Sequence, residues 1–330
     1  MSIIIKPLEC NLPAYCIFCG KIAYAIKITA FVLGGIFKMA VDLHCHTRLS
    51  DGSLGIDDLI VLAKKRGLSA ISITDHDCLA GTIRGKIIGE RHGVNVIPGV
   101  ELSCTDHQTG RSVHLICYLC DYPDRLEGLC RRNLMARKKA SQYMMLKLAQ
   151  RFPITPDLVI KCATGSTCIY KQHMMHALME CGITDKVYGD FYEGLFRDKE
   201  NGVLVDCTFP DPEEILSAIH EAGGIAVLAH PYLYDSIDVM NRLIGLGLDG
   251  IEVWHPSANE EQQRALQQTA KKHGLLITGG SDFHGMYSYN STSVGSVSVP
   301  DSVLQALISY KNKMRRKQQK ESEAAASARE

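Results

Sequence analysis

The chain has 330 residues, 46% hydrophobic and 22% charged, with 36 Lys+Arg set against 36 Asp+Glu. That balance excludes wholesale disorder and fibrous repeats. It also excludes a general polyanion-binding surface, so an acidic substrate must be met by metal ions or by a few local cations. The length admits one large α/β domain, or one domain with a substantial insertion.

The first 38 residues differ from the rest. Ile22 to Phe37 is nearly all apolar, broken by Lys27 and Gly34-Gly35. The run is shorter than the ~20 residues of a spanning helix. The thiol-rich body argues against a signal peptide. Translation beginning at Met39, directly before the first clear strand, is the expectation favoured over a membrane anchor. The thirteen cysteines are odd in number and irregularly spaced, and several sit in apolar runs such as Leu115–Cys120. They are read as reduced thiols of a cytoplasmic protein rather than a disulfide framework. Cys16 and Cys19 form a lone CxxC, a weak zinc signal without a second pair.

From Met39 the chain alternates short apolar runs with helical patterns. Ala40–Leu43 reads as a strand and Ile56–Arg66 as an amphipathic helix stopped by Gly67 at C′. Ala70–Ile73 is a strand, Thr82–His92 a helix, and Val94–Pro98 and Val113–Leu119 further strands. Such alternation implies βα units around a parallel sheet or barrel. The rhythm lapses between Pro123 and about Cys207. This stretch carries a helix around Arg132–Gln150, a turn at Pro153–Pro156 and a helix near Gln172–Cys181, and is read as a mainly helical insertion. The rhythm returns with helix Pro212–Ala222, strand Ile225–Ala229, helix Ser236–Leu246, strand Gly250–Val253, helix Glu260–His273 and strand Leu275–Thr278. The expected organisation is therefore an extension over 1–38, barrel parts over 39–121 and 208–310, and an insertion over 122–207. The basic, then Ala/Ser/Glu-rich tail over 311–330 is expected to be disordered and solvated.

The chemically informative residues recur where strands stop. His44 and His46 are two apart, so both face the same side of the first strand. Asp51 follows in Ser50-Asp51-Gly52. The next strand ends in Thr74-Asp75-His76-Asp77, and the third in Gly99-Val100-Glu101. His114 follows thirteen residues later. Leu228-Ala229-His230-Pro231 and Gly280-Ser281-Asp282-Phe283-His284-Gly285 close two later strands. Barrel enzymes assemble their active sites at the C-terminal ends of strands. A turn explains Asp51 or Asp77 taken singly. It does not explain six histidines beside three carboxylates. Mixed imidazole and carboxylate suits Zn²⁺, Mn²⁺ or Fe²⁺. Nine groups exceed one ion and would serve up to three if one carboxylate bridges. A hydroxide between two close ions is a strong nucleophile at neutral pH, and the ions would neutralise phosphate oxygens.

Taken together, His44-Cys45-His46 with Ser50-Asp51-Gly52, Thr74-Asp75-His76-Asp77, Gly99-Val100-Glu101-Leu102-Ser103, Ala229-His230-Pro231 and Gly280-Ser281-Asp282-Phe283-His284-Gly285 resemble the PHP (polymerase and histidinol phosphatase) family over about Ala40 to Val299. The resemblance implies an α/β fold, a distorted (β/α)7-type barrel, with a di- or trinuclear metal centre that hydrolyses phosphoesters. It implies that His44, His46, Glu101 and Asp282 hold one ion. Glu101 would bridge to a second, bound also by His114 and His230, and Asp51, His76 and His284 would hold a third. Glu101, His230 and Asp282 would be the catalytic core of that centre. Asp75 and Asp77 are expected to orient ligand imidazoles from behind.

The helical insertion resembles that of the small-molecule branch: nucleoside 3′,5′-bisphosphate phosphatases, phosphoribosyl cyclic phosphate diesterases and short-RNA 5′ exonucleases. Bisphosphatase-like members often carry Arg-Pro-His where this chain has Lys171-Gln172-His173, and lysine lacks the planar fork that grips phosphate bidentately. Lys171, His173 and Arg137 are the candidate contacts to a small phosphorylated substrate. No stable nucleic-acid complex and no membrane partner is expected. His92, His107, His220 and His273 read as structural or surface residues. His255 is placed at the pocket mouth, beside Trp254, a candidate for stacking. A metal-dependent amidohydrolase also uses HxH on its first strand, but typically pairs it with a carboxylated lysine and a lone late aspartate. Here Glu101 takes the bridging place and Asp282 comes with His284.

Overall fold

The computed structural model describes residues 40–327 apart from 199, 290, 291 and 298. The expectations for residues 1–38, Cys16 and Cys19 included, lie outside the described residues. The strands are β1 (Ala40–Cys45), β2 (Leu68–Ile73), β3 (Asn95–Thr105), β4 (Ser112–Tyr118), β5 (Ile225–Leu228), β6 (Gly250–Trp254), β7 (Leu276–Gly279) and β8 (Val299–Pro300). They form one sheet in the order β7-β6-β5-β4-β3-β2-β1-β8. The sheet curls into a nearly closed barrel. At the start of β1, β8 pairs antiparallel with Ala40 and Val41. Past the other end of β1, Cys45 bridges Phe283 in parallel, and His46 N donates to Phe283 O at 2.9 Å. Gly280 permits this closure: a Cβ there would stand 2.4 Å from both the Cβ and the N of His44.

Besides the short β8, one strand departs from the expected parallel barrel. β4 pairs antiparallel with both β3 and β5. The cause is local: β3 runs on well past Pro98 to Thr105, and Asp106–Arg111 turns the chain straight back, with Gly110 at φ +73°. A crossover helix, which parallel pairing requires, has no room in so short a connection.

Helices cover the barrel because their apolar positions recur on one face. In α1 (Ile56–Lys65), Ile56, Leu59, Ile60 and Ala63 are buried. It packs with α2 (Gly81–His92) over Ile71, Ile73 and Val96. The insertion holds α3 (Asp124–Arg151), α4 (Pro156–Cys162), α5 (Lys171–Glu180) and α6 (Asp190–Phe196). α4 replaces the simple turn expected at Pro156, capped by the Thr155 side chain accepting from Leu158 N. α3 begins eight residues earlier than its helical pattern alone placed it. Its first turns, at Leu126, Leu129 and Cys130, join the barrel's outer core with α7 (Pro212–Glu221) and α8 (Ile237–Gly245). Its later turns, at Ala140, Met144, Met145 and Leu148, build a separate insertion core with Met174, Leu178 and Phe196. α9 (Glu260–His273) completes the outer layer. All ten described cysteines are free thiols, and six are buried. Among the described residues no helix is long and apolar enough to cross a membrane.

The tail corrects the expected disorder from residue 311. α10 (Asp301–Ser327) continues as helix over its described part, to Ser327. Val303, Leu304 and Leu307 pack against the barrel interior with Val41 and Val227. Lys311 is only 3% exposed, 2.5 Å from Asp121 Oδ2, and also donates to Gly223 O. Arg315 pairs with the other Asp121 oxygen at 2.5 Å. A basic composition read as solvated therefore conceals one buried cation, Lys311, on a half-buried acidic partner. Lys311→Met should lower unfolding stability by about 2 kcal/mol, the scale of a charge-assisted bond lost from a buried site. The same change at exposed Lys313 should cost about 0.5 kcal/mol or less. Urea denaturation of both variants checks this, and equal midpoints would show that the tail is not anchored.

Candidate metal centre

The nine candidate groups come from seven segments and meet at one end of the barrel. β1 delivers His44 and, one residue beyond it, His46. A turn follows in which Gly52 N bonds Thr47 O, and a Cβ on Gly52 would lie 2.6 Å from His46 O. That turn brings Asp51 back over the strand end. His76, past β2, bridges Glu101 within β3. His114 stands near the start of β4, not at a strand's end. Because β4 runs the other way, its start lies where its neighbours finish. His230 follows β5, and Asp282 and His284 follow β7. Seven of the nine are buried, with His114 and Asp282 half-buried. His230 (φ +28°) and Asp282 (φ +49°) adopt left-handed backbone, as does neighbouring Asp77 (φ +51°). Such strain collects where side chains must be aimed.

Glu101 lies at the centre. Its Oε1 is 2.9 Å from His114 Nδ1 and 2.9 Å from His230 Nε2. Its Oε2 is 3.4, 3.2 and 3.1 Å from His44 Nε2, His46 Nε2 and His76 Nδ1. The two oxygens thus serve different imidazole groups. Asp282 Oδ1 faces His44 and His46 at 3.4 and 3.2 Å. Asp51 Oδ1 lies 3.2 Å from His284 Nε2 and 3.7 Å from His46 Nδ1, and its Oδ2 is 3.7 Å from His76 Nε2. Four overlapping sets result: His44, His46 and Asp282; His44, Glu101 and His230; His76, Glu101 and His114; and His46, Asp51, His76 and His284.

Hydrogen bonding fixes which ring nitrogens face inward. His44 Nδ1 donates to Glu252 Oε1 at 2.9 Å, and His284 Nδ1 to Asp282 O at 2.8 Å. Their Nε2 lone pairs therefore point into the cluster. His44 Nε2 lies 3.1 Å from His46 Nε2, so in the absence of an ion the His46 ring must carry a proton there for the two to pair. Of the ten buried polar side-chain atoms without a hydrogen bond among the described residues, six lie here. They are Asp51 Oδ1, His76 Nδ1, Glu101 Oε2, His114 Nδ1, His230 Nδ1 and His255 Nε2. Those that present lone pairs, the carboxylate oxygens of Asp51 and Glu101 above all, are costly in a dry interior unless something positive occupies the gap. The donor set and its unsatisfied atoms fit divalent cations.

The electrostatics agree. Burial alone would raise the Glu101 pKa, but His114, His76 and His44 outweigh it and hold the carboxyl well below its usual range. Burial likewise opposes ionisation of Asp282, and His284 and His44 overcome it. His46 is disfavoured as a cation by burial, yet Asp282 and Glu101 push its pKa up to about 10. Without cations, protons would have to occupy these rings.

Several side chains hold the cluster from outside, and not all as expected. Glu252, which the sequence reading did not single out, accepts from His44 Nδ1 through Oε1 and from His230 N through Oε2, both at 2.9 Å. Its signal was a buried acid alternating within apolar β6. Asp75 and Asp77 do not touch ligand imidazoles. Asp75 ties down the turn before Asp51, accepting from Thr47 N, Thr47 Oγ1 and Ser50 Oγ at 2.7, 2.7 and 2.6 Å. Asp77 accepts from Ser103, Asn133 and Arg137. His255, buried beside the cluster, accepts from Ser257 N at Nδ1, which puts the proton of the neutral ring on Nε2, 3.3 Å from Asp282 Oδ2. It steadies Asp282 and offers no lone pair to an ion.

Above the cluster the insertion roofs a cavity of about 470 Å³, and Lys171 lines it as expected. His173 and Arg137 do not. His173 Nδ1 accepts from Tyr170 N as the helix cap of α5, and burial drops its pKa to about 4. Arg137 donates to Asp77 Oδ2 and Ser103 Oγ at 3.0 and 2.6 Å, and its guanidinium lies over the Tyr170 and Phe209 rings. It fastens the insertion to the barrel. In their place Arg197 and Gln172 reach the cavity, with Tyr188, Tyr192 and Tyr234 in its walls. Trp254 is not among the lining residues and packs with the barrel cores.

With this geometry in view, the known proteins fall into place. Residues 42–193 match the PHP domain. A phosphoribosyl 1,2-cyclic phosphate 1,2-diphosphodiesterase of Eggerthella lenta is 34% identical over 253 residues, covering 76% of this chain and 95% of that protein. A 5′-3′ exoribonuclease of Haemophilus influenzae is 29% identical, covering 74% and 89%. A 3′,5′-nucleoside bisphosphate phosphatase of Chromobacterium violaceum is 30% identical, covering 74% and 87%. A Bifidobacterium adolescentis structure, assigned without a named substrate as a metal-dependent phosphoesterase, superposes with TM-score 0.74 at 29% identity, covering 81% of this chain and 95% of that one. The chain belongs to the PHP family and is a metal-dependent phosphoesterase.

Proposed function

We propose that the enzyme hydrolyses phosphoester bonds in a small phosphorylated ribose or nucleotide, of the phosphoribosyl 1,2-cyclic phosphate or nucleoside 3′,5′-bisphosphate class. The observation that carries this reading is Lys171, held over the metal-binding cluster in the same cavity. Burial first, then the neighbouring Arg137 and Arg197, hold its pKa below that of free lysine. A phosphate in the cavity relieves that strain. A cavity of about 470 Å³ takes a mononucleotide-sized ligand and not a folded polymer.

Two to three Mn²⁺, Zn²⁺ or Fe²⁺ ions are the expected cofactors, held as the four overlapping sets allow, with Glu101 shared. When bound, such ions polarise phosphoryl oxygens and lower the pKa of water. The chain's own residues do the rest. Glu101 and Asp282 stay ionised and fix the spacing of the imidazoles. Glu252 keeps the His44 proton on Nδ1. Lys171 and Arg197 orient the substrate's remaining phosphate, and the tyrosine walls exclude water. The free thiols of the described cysteines support a cytoplasmic enzyme.

The direct test is a hydrolysis screen of Mn²⁺-loaded protein against ribose cyclic phosphates, nucleoside bisphosphates, histidinol phosphate and short 5′-phosphorylated RNA. Chelation should abolish every activity found, and full turnover by metal-free protein would refute the reading. Glu101→Gln, which weakens the shared carboxylate, should cost at least ~10³-fold in kcat, the scale of a principal catalytic element. A variant within threefold of wild type would show that Glu101 is not shared. Glu252→Gln should leave the fold intact and weaken metal affinity by about 10–100-fold, measured by metal titration. Lys171→Ala should lower kcat/KM by about 1.5–3 kcal/mol for a two-phosphate or phosphoribosyl substrate and leave p-nitrophenyl phosphate nearly unchanged. Equal losses on both would assign Lys171 to folding or metal assembly.

A further inference from the structure

The insertion does more than cover the cavity. Three of its residues grip the turn that carries Asp51. Ser166 Oγ donates to Ser50 O at 2.5 Å, and Thr167 donates to Leu49 O from both N and Oγ1 at 2.9 Å. At the first turn of α5, Gln172 Nε2 donates to Asp51 Oδ2 at 3.0 Å. The amide nitrogen, a donor, is thus the side of Gln172 that faces the carboxylate. One Asp51 oxygen is thereby engaged. The other, Oδ1, is buried without a hydrogen bond and faces His284 and His46.

We propose that Gln172 is a positioning residue for the cation site formed by His46, Asp51, His76 and His284, and that through it the insertion governs occupancy of that one site. The proposal rests on the metal reading above. A carboxylate free to rotate can offer either oxygen, or both, to an ion. Gln172 removes that choice, leaving Oδ1 as the ligand atom and Oδ2 satisfied. The other three ligand sets draw on β1, β3, β4 and the segments after β1, β2, β5 and β7; none includes Asp51, and no insertion residue hydrogen-bonds to Glu101, His114, His230 or Asp282 among the described residues. The effect of Gln172 should therefore be confined to one ion. Lys171, adjacent in sequence, lines the same cavity, so one helix end serves both the substrate and this cation.

The test is calorimetric titration of metal-stripped full-length protein with Mn²⁺, with bound ions counted by elemental analysis. Gln172→Met keeps the side-chain length and removes the donor; Gln172→Ala removes the arm. Both should bind one ion about 10–100-fold more weakly than wild type and the others unchanged. Thermal unfolding of the metal-free variants should match wild type, which separates a positioning role from general damage to α5. Superposable isotherms for wild type and both variants would overturn the proposal, as would equal weakening of every ion. Should wild-type protein itself take up no ion, the metal reading fails instead, and that outcome is distinct from a normal titration insensitive to Gln172.

Discussion

Six imidazoles and three carboxylates brought within touching distance, most of them out of water, form the constraint around which this molecule is built. Left alone, such a set opposes its own assembly. The ring nitrogens of His44 and His46 crowd together at 3.1 Å, and Glu101 Oε2 is near three rings without a hydrogen bond to any. Tertiary structure must hold the groups together until cations compensate them. Much of the barrel can be read as the means of doing so. β3 is long enough to carry Glu101 past the end of β2, β4 reverses to return His114 beside it, and left-handed backbone at His230 and Asp282 aims the remaining ligands. A core of Val, Ile and Leu behind the site supplies the stability that these arrangements cost.

The polar groups behind the cluster divide this labour. Glu252 fixes one ring and one backbone N–H. Asp75 fixes the turn ahead of Asp51. Asp77 joins β3 to α3 through Ser103, Asn133 and Arg137. Three buried acids of the same general type therefore serve three different mechanical ends. None of them requires a metal, which lets the frame be rigid before any ion arrives.

The strand ends were legible because each places a polar residue where an apolar run stops, and a period-two pattern says which way His44 and His46 point. The helix around Arg132 was legible from its spacing, but its start at Asp124 was not, since Leu126 and Leu129 answer to the barrel rather than to the insertion. The reversal of β4 escaped because nothing in Val113–Leu119 marks direction; only the brevity of Asp106–Arg111 does. Arg137 and His173 were misjudged for a common reason. Sequence gives a side chain's chemistry but not its neighbours, and each had a partner nearer than the cavity, Asp77 for one and the Tyr170 amide for the other. Glu252 and Gln172 were overlooked because an isolated acid in a strand and an amide in a helix carry no motif. The tail was misread because composition describes the average residue, whereas Lys311 is the exception on its helix.

The helix α3 has a consequence for how the enzyme works over a catalytic cycle. Its early turns belong to one core and its later turns to another, with Arg137 and Asn133 pinned at the crossing. A continuous 28-residue helix anchored at both ends is a strut and not a hinge. The roof over the cavity accordingly keeps its height above the cluster, and Leu233, Tyr234 and Tyr289 line the cavity with partly exposed side chains. A ligand in the cavity is then met by a frame of set dimensions rather than by one that closes around it.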